Sequence, residues 1–418
     1  MLSEKSGLLD EIRGRFAHVD TCPFEGPRVF FENAGGALTL NSVVETSAKF
    51  AAIPDNQGRD NPAAHALVAL IDKAKADMRL FFNAPKGQFF VGESGTELLF
   101  RLIRTAIVGT GTGRVLGSTL EHPASRSAAA HWAEVAGKPH ILVAHDDTTG
   151  TVGPEAYRPE ITPDTRVATI LHTSPVTGMG VDVGAIAAEI RKIAPDCIII
   201  VDGIQHAAHG RLDIESYDVD GYVISPYKVF SRHGYGVAWV SDRLHAIKHE
   251  HLIDAPGNPW EFGTRDTGAY VTFSDVVDYF VWLGGEVSDQ TDPRARIVAA
   301  GEAIHAHEKH LTDAMINGIG NIKGLKDMAE VDIIGGLENP AREGLVCLTV
   351  KGQAAPDIVT KLRERGIRTH TRKADHYSGN VLSPLGLDAA VRVSMCHYNT
   401  ETEVAQFLTA MREIVEGV

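Results

Sequence analysis

Cysteine is scarce and scattered. The 418-residue chain has four, Cys22, Cys197, Cys347 and Cys396, and no CxxC pair, which argues against a disulfide framework or a cysteine zinc centre and fits a reducing cytoplasm. Basic surplus is lacking too. Forty Lys and Arg against 54 Asp and Glu leave a net charge of −14, with no offsetting basic patch, so neither nucleic acid nor an anionic membrane is expected as a partner. No run approaches the roughly 18 apolar residues that span a bilayer. Charges throughout Met1 to Phe16 replace the apolar core of a signal peptide. Repeats, low-complexity tracts and heptads are absent as well.

What is present is an ordinary globular composition, 44% apolar and 22% charged, in a chain long enough for one large domain and a smaller one. Short apolar runs recur at Gln88–Val91, Arg114–Gly117, His140–Ala144, Val167–Leu171, Ile198–Val201, Gly221–Ile224 and Gly236–Val240. Between them Leu98, Leu99, Leu102, Ile103, Ala106 and Ile107 share one helical face, as do Ile186, Ile190 and Ile193. Strands alternating with helices predict an α/β domain with a largely parallel sheet, the last two strands forming an antiparallel edge. Beyond about Gly285 the pattern changes to a helix at 294–316, strands at 345–350, 367–371 and 390–395, and helices at 356–365 and 401–415. The chain thus divides into an N-terminal segment (1–25), a large domain (26–285) and a small C-terminal α/β domain (286–418).

Asp202 ends the apolar strand Ile198–Val201, at the edge where open α/β sheets place ligand contacts. The next strand runs into Ser225–Pro226–Tyr227–Lys228, and a lysine at that edge is a candidate nucleophile, since burial lowers its pKa. Taken singly, each has a plain reading, a turn cap or a surface amine. Together they match the imine-forming lysine and pyridinium-nitrogen carboxylate that pyridoxal phosphate requires. Ser94–Gly95–Thr96–Glu97 opens a helix whose N–H groups could hold a phosphate or be simply capped. His122, in Glu121–His122–Pro123, is placed to lie on a pyridine ring or to serve structure alone.

These strings resemble the class V aminotransferase family of fold-type I pyridoxal-phosphate enzymes, which includes cysteine desulfurases. So do Phe30–Gly36, Val201–Gln205, Glu261–Thr264, Val391–Ser394 and Tyr398–Thr400, in the same order along the chain. The resemblance implies the fold-type I architecture, a mostly parallel seven-stranded sheet plus a small domain. It implies pyridoxal 5'-phosphate as cofactor, Lys228 as Schiff-base lysine, Asp202 as pyridinium partner, His122 stacked on the ring and Gln205 on the phenolic oxygen. Gly95, Thr96 and Ser225 would hold the phosphate, joined by Thr264 from the other subunit of a homodimer. Arg392 would clamp the substrate carboxylate by the two-pronged geometry that favours Arg, with Asn33 orienting the substrate.

The chain also departs from the family. Desulfurases carry a cysteine on the small-domain loop ahead of that arginine, whereas Ile367 to Leu387 has none, and Cys197 and Cys396 read as core residues. Pro175 stands where desulfurases commonly have Asn, and Tyr227 where many have His. The loop instead offers His370, Arg372, Lys373, His376 and Tyr377, suited to a second substrate carboxylate or to leaving-group protonation, with His376 and Arg265 as candidate contacts. An aminotransferase or cysteine-independent lyase acting at Cα or Cβ of a small, anionic amino acid is therefore expected. A C–S lyase, decarboxylative carbon–carbon bond formation from aspartate, and an inactive scaffold are the alternatives. The Gly109–Gly113 loop precedes a strand instead of following one, which sets a nicotinamide site aside. His245, His249, His251, His305, His307 and His310 lack an HExxH pattern and read as solvated helix faces, so no metal is expected.

Overall fold

Each of the seven apolar runs becomes a strand of one sheet in the computed structural model, which describes residues 2–257 and 259–417. Met1 and Val418, the outer ends of the terminal units, lie outside the described residues. The strands are β1 (Gln88–Gly92), β2 (Arg114–Ser118), β3 (His140–Val143), β4 (Thr165–Leu171), β5 (Ile198–Asp202), β6 (Gly221–Ile224) and β7 (Gly236–Val240). Their order is β1-β7-β6-β5-β4-β2-β3. β2 to β6 run parallel, whereas β7 is antiparallel to both β6 and β1.

The expected antiparallel edge is therefore corrected. β7 lies inside the sheet and β1 outside it. All five β7 residues are buried while Gln88 of β1 is half-exposed, as befits an inner and an edge strand.

Helices follow from local signals. α1 (Gly95–Gly109) starts at Ser94, whose side chain accepts the Glu97 N–H at 3.1 Å, and its Leu98, Leu99, Leu102, Ile103, Ala106 and Ile107 are all buried. α2 is Pro123–Val135, α3 is Val183–Ile193, α4 is Thr267–Val287 and α5 is Pro293–Asn317. The expected boundary at 285 falls in the last turn of α4, and the chain breaks helix at 288–292.

A second, wholly antiparallel sheet carries β8 (Val331–Ile333), β9 (Leu345–Val350), β10 (His370–Lys373) and β11 (Ala389–Ser394) in the order β8-β9-β11-β10. The run expected as one strand over 367–371 is split. Ile367–Arg368 pairs with Val29–Phe30, and only His370 onward joins the sheet, because the two halves meet different partners on either side of Thr369. The final helix, Glu401–Glu416, opens with a capping box between Thr400 and Glu403. Among the described residues no helix is long and apolar enough to cross a membrane.

Candidate active site

Lys228 and Asp202 share one sheet edge because β5 and β6 are parallel neighbours, with Asp202 opposite Val223. After β6 the chain turns at Ser225 into the short turn Pro226–Lys228. The Lys228 ammonium donates to Gln205 Oε1 at 3.1 Å. Burial and the nearby Arg392 cation draw its pKa down to about 7, against the pull of Asp202. Asp202 Oδ1 accepts the Ile204 N–H at 3.1 Å, but buried Oδ2 has no partner among the described residues. Burial raises this carboxyl to about 6. A buried acceptor without a donor is costly in a finished fold and is the expected mark of a ligand contact.

His122 is the N-cap of α2, and its Nδ1 accepts the Ala124 N–H at 3.2 Å, so the neutral ring carries its proton on Nε2. Burial, reinforced by Lys228 and Arg372, holds that ring neutral down to about pH 3. From the small domain, Asn380 fixes the turn by donating to the carbonyls of Thr119 at 2.7 Å and Glu121 at 3.2 Å.

The start of α1 closes against Ser225. A Cβ on Gly95 would collide with Ser225 Oγ, and one on Gly236 would stand 2.7 Å from Gly95 N. These two bare positions let the helix N-terminus and a hydroxyl converge into an anion cup. Ser94 does cap the helix through the Glu97 N–H, and among the described residues no side chain takes the N–H groups of Gly95 and Thr96. Thr96 is exposed on the same turn. Thr264 is exposed in the 261–266 loop, whose Arg265 pairs with Glu93 beside the cup.

A cavity of about 580 Å³ opens at Lys228, lined by Tyr227, His122, Pro175, Glu32, Arg392, Arg372 and Tyr377. Arg392, on β11, is 2% exposed. Its Nη1 donates to the Pro175 carbonyl at 2.8 Å, its Nε has no partner, and no carboxylate pairs with it among the described residues. Burial and Arg372 lower its pKa to about 9, still a cation at neutral pH. Pro175 thus enters the site through its backbone carbonyl. Arg372, on β10, makes a 3.4 Å contact to the Tyr377 carbonyl and, among the described residues, no carboxylate pair. Arg368 and His370 differ, since both are matched by Glu32 at 2.8 and 3.1 Å.

The cavity lining takes in Lys228, His122 and Arg392 but not Asp202, Gln205, Ser225, Gly95, Thr96 or Thr264, and three expected substrate contacts fall outside it as well. Asn33 spends its amide within the chain, on Ser394 O at 2.8 Å, Asn399 Oδ1 at 3.2 Å and the Tyr398 hydroxyl, so it fastens the end of the strand that carries Arg392. His376 is exposed and packs on Tyr377, ring centroids 4.1 Å apart. Arg265 is committed to Glu93. All four cysteines are buried and none lines the cavity. Cys347 faces Arg392 in register, its thiol pushed up to about 12 by burial. The solvated-face reading fails for His249, stacked on Trp260 at 3.9 Å, and for His307, bonded to the Asn399 carbonyl at 3.1 Å. Unforeseen in the sequence were His209 and Glu308, buried behind Lys228, and the half-buried Glu343 paired with His206.

Pyridoxal phosphate meets the requirements of this edge together: a ring nitrogen for the partnerless Asp202 oxygen, a phosphate for the cup and an aldehyde for Lys228. With this sheet topology the chain falls in the fold-type I class of pyridoxal-phosphate-dependent enzymes. It belongs to the aminotransferase class-V family, whose model matches residues 29–407.

Among curated relatives, the cysteine desulfurase-like protein ustD of Aspergillus flavus is 26% identical over 93% of this chain and 88% of its own length. A nonribosomal peptide synthetase-like enzyme, fsqF of Aspergillus fumigatus, is 27% identical over 92% of this chain. The chain spans 26% of that longer protein. The apo structure of a cysteine desulfurase from Thermococcus onnurineus NA1 has the same fold, with a TM-score of 0.83 at 19% identity over 98% of each chain.

Proposed function

We propose that the protein acts at Cα or Cβ of a small amino acid carrying a second anionic group, as an aminotransferase or a lyase that needs no cysteine. One observation carries this reading: two guanidiniums without carboxylate partners among the described residues, Arg392 and Arg372, line the same cavity as Lys228. Arg392 takes the α-carboxylate and Arg372 the distal anion. Asp202, His122 and Gln205 hold the ring of pyridoxal phosphate, with Gly95, Thr96 and Ser225 on its phosphate. Thr264 joins them across a homodimer. Bound there, the cofactor supplies an electron sink for the bond broken at Cα. Lys228, its pKa near neutrality, moves the proton at that carbon. His122 stays uncharged beside it and so adds no competing cation.

Burial of all four thiols supports chemistry without a persulfide-forming cysteine. The test is a product assay with aspartate, cysteine sulfinate, cysteine and alanine. Turnover of the anionic pair above the neutral pair is expected, and strict preference for cysteine with sulfur transfer overturns the reading. Carbon dioxide release from aspartate selects the decarboxylative alternative, and dependence on a keto acid selects transamination.

A further inference from the structure

Behind Lys228, away from the cavity, a line of buried polar groups leads off from Gln205, and the proposed reaction uses none of them beyond that amide. Gln205 Oε1 accepts from Lys228 Nζ at 3.1 Å, Gln205 Nε2 lies 3.1 Å from His209 Nε2, and His209 Nδ1 lies 2.7 Å from Glu308 Oε2. Gln205, His209 and Glu308 are 5%, 3% and 1% exposed. Glu308 arrives from α5, 99 residues away in sequence. The backbone makes room for the pair. At Gly344 (φ +46°) a Cβ would stand 2.9 Å from Glu308 Oε2 and 3.1 Å from His209 Nδ1, so only a bare α-carbon fits there.

Donor bookkeeping gives this line two states. An amide nitrogen only donates, so with the Gln205 carbonyl on Lys228, His209 Nε2 must present its lone pair and its single proton sits on Nδ1, toward Glu308. With His209 protonated on both nitrogens, Nε2–H needs an acceptor. Gln205 must then turn its carbonyl to His209 and its NH2 group toward Lys228 and the cavity. Amide oxygen and nitrogen have nearly the same size, so the same heavy-atom positions serve both states.

We propose that Glu308 and His209 are positioning residues that hold the Gln205 amide in its donor-outward orientation when the cofactor is bound, presenting NH2 to the cofactor's phenolic oxygen. In the free protein the amide faces the other way and stabilises Lys228 as an ammonium.

Electrostatics favours the second proton on His209, and the Lys228 ammonium is the charge that opposes it in the free protein. Burial pulls His209 down, but Glu308 and Glu343 outweigh burial and Lys228 and leave it raised. Burial raises Glu308 against His209, with Glu343 adding to the rise and His305 opposing it. The remaining groups facing the pair are Cys396, Tyr398 and His397, all uncharged at neutral pH because burial moves each away from its charged form. Glu308 Oε1 has no hydrogen-bond partner among the described residues, which leaves His209 as the group that balances this carboxylate.

The inference rests on the pyridoxal-phosphate reading, and the experiment separates the two. If wild-type protein gains no visible band with pyridoxal phosphate, the functional reading fails. If it does, Glu308→Gln and His209→Asn should each weaken cofactor binding about tenfold by fluorescence titration. Each should also raise the pH midpoint of the band by about one unit, because a lost donor no longer stabilises the anionic oxygen. The double variant should match the singles, and Glu308→Asp should restore part of the shift. Wild-type affinity and midpoint in both variants overturn the proposal. Should the variants not fold, neutron diffraction of wild type reads the amide directly. NH2 toward the cavity with cofactor and toward His209 without it is expected, and one orientation in both overturns the proposal.

Discussion

On the cavity side of Lys228, Arg392 and Arg372 reach no carboxylate among the described residues and Asp202 Oδ2 meets no donor. On the far side His209 holds Glu308 at 2.7 Å and His206 holds Glu343 at 2.9 Å. Arg392, Asp202, His209, His206 and Glu308 are buried and Arg372 and Glu343 half-buried, so both sets would cost heavily if left unmatched. The far set is matched by the chain itself and so serves the fold and the aim of Gln205. The near set awaits charges from outside, which is how a fold specifies a ligand. If that division is right, substitutions on the two sides should fail differently.

Lys228→Ala should produce the largest change, loss of the visible band with added pyridoxal phosphate and a fall in turnover of at least about 10³-fold, at unchanged melting temperature. Glu343→Gln comes next and should show in stability, since removing one member of a buried pair costs about 3–5 kcal/mol. Burial works to raise the Glu343 carboxyl, but His206, His209 and His172 overcome it and hold it at about 2. Its contribution is therefore complete above the ordinary carboxylate range near pH 4.3 and is lost as pH falls toward 2. Chemical unfolding followed across that window should show the wild type losing a contribution that the variant never had.

Arg392→Lys should lower kcat/KM about 100-fold through two weakened charge-assisted bonds, with little effect on melting. Arg372→Gln should cost about tenfold for a dicarboxylic substrate and nothing for alanine. Loss of folding in either arginine variant would erase the contrast between the two sides. Smallest of all, Cys347→Ala should change turnover less than about twofold and stability by about 1 kcal/mol. Lys228 offers a further check in the cofactor-free protein. With its pKa near 7, its labelling by an amine reagent should be half-maximal near pH 7, and Asp202→Asn should move that midpoint lower, because the carboxylate holds the amine charged.

Much of this architecture is legible in the amino-acid sequence. All seven large-sheet strands announce themselves as apolar runs, and Asp202 and Lys228 stand at strand ends, where linear sequence and site geometry coincide. The order of the strands is not legible. β7 inserts between β1 and β6, a pairing that depends on which edge the first strand occupies. The family resemblance implies a substrate contact for Asn33, and its actual partners Ser394, Tyr398 and Asn399 lie more than 350 residues away, out of reach of any local signal. His376 and Arg372 share one basic loop, and only its path decides that the arginine lines the cavity while the histidine faces solvent. His209 lies four residues past Gln205, one turn on, but nothing local tells that Glu308 will meet it.

The central claim is that the two free guanidiniums select an amino acid with two anionic groups. The most direct measurement titrates the cofactor-loaded protein with amino acids and follows its visible band. Aspartate and cysteine sulfinate should perturb it at concentrations at least about tenfold below alanine or cysteine, an advantage abolished by Arg372→Gln. Equal response to alanine and aspartate, or an advantage that survives the Arg372 substitution, would contradict it.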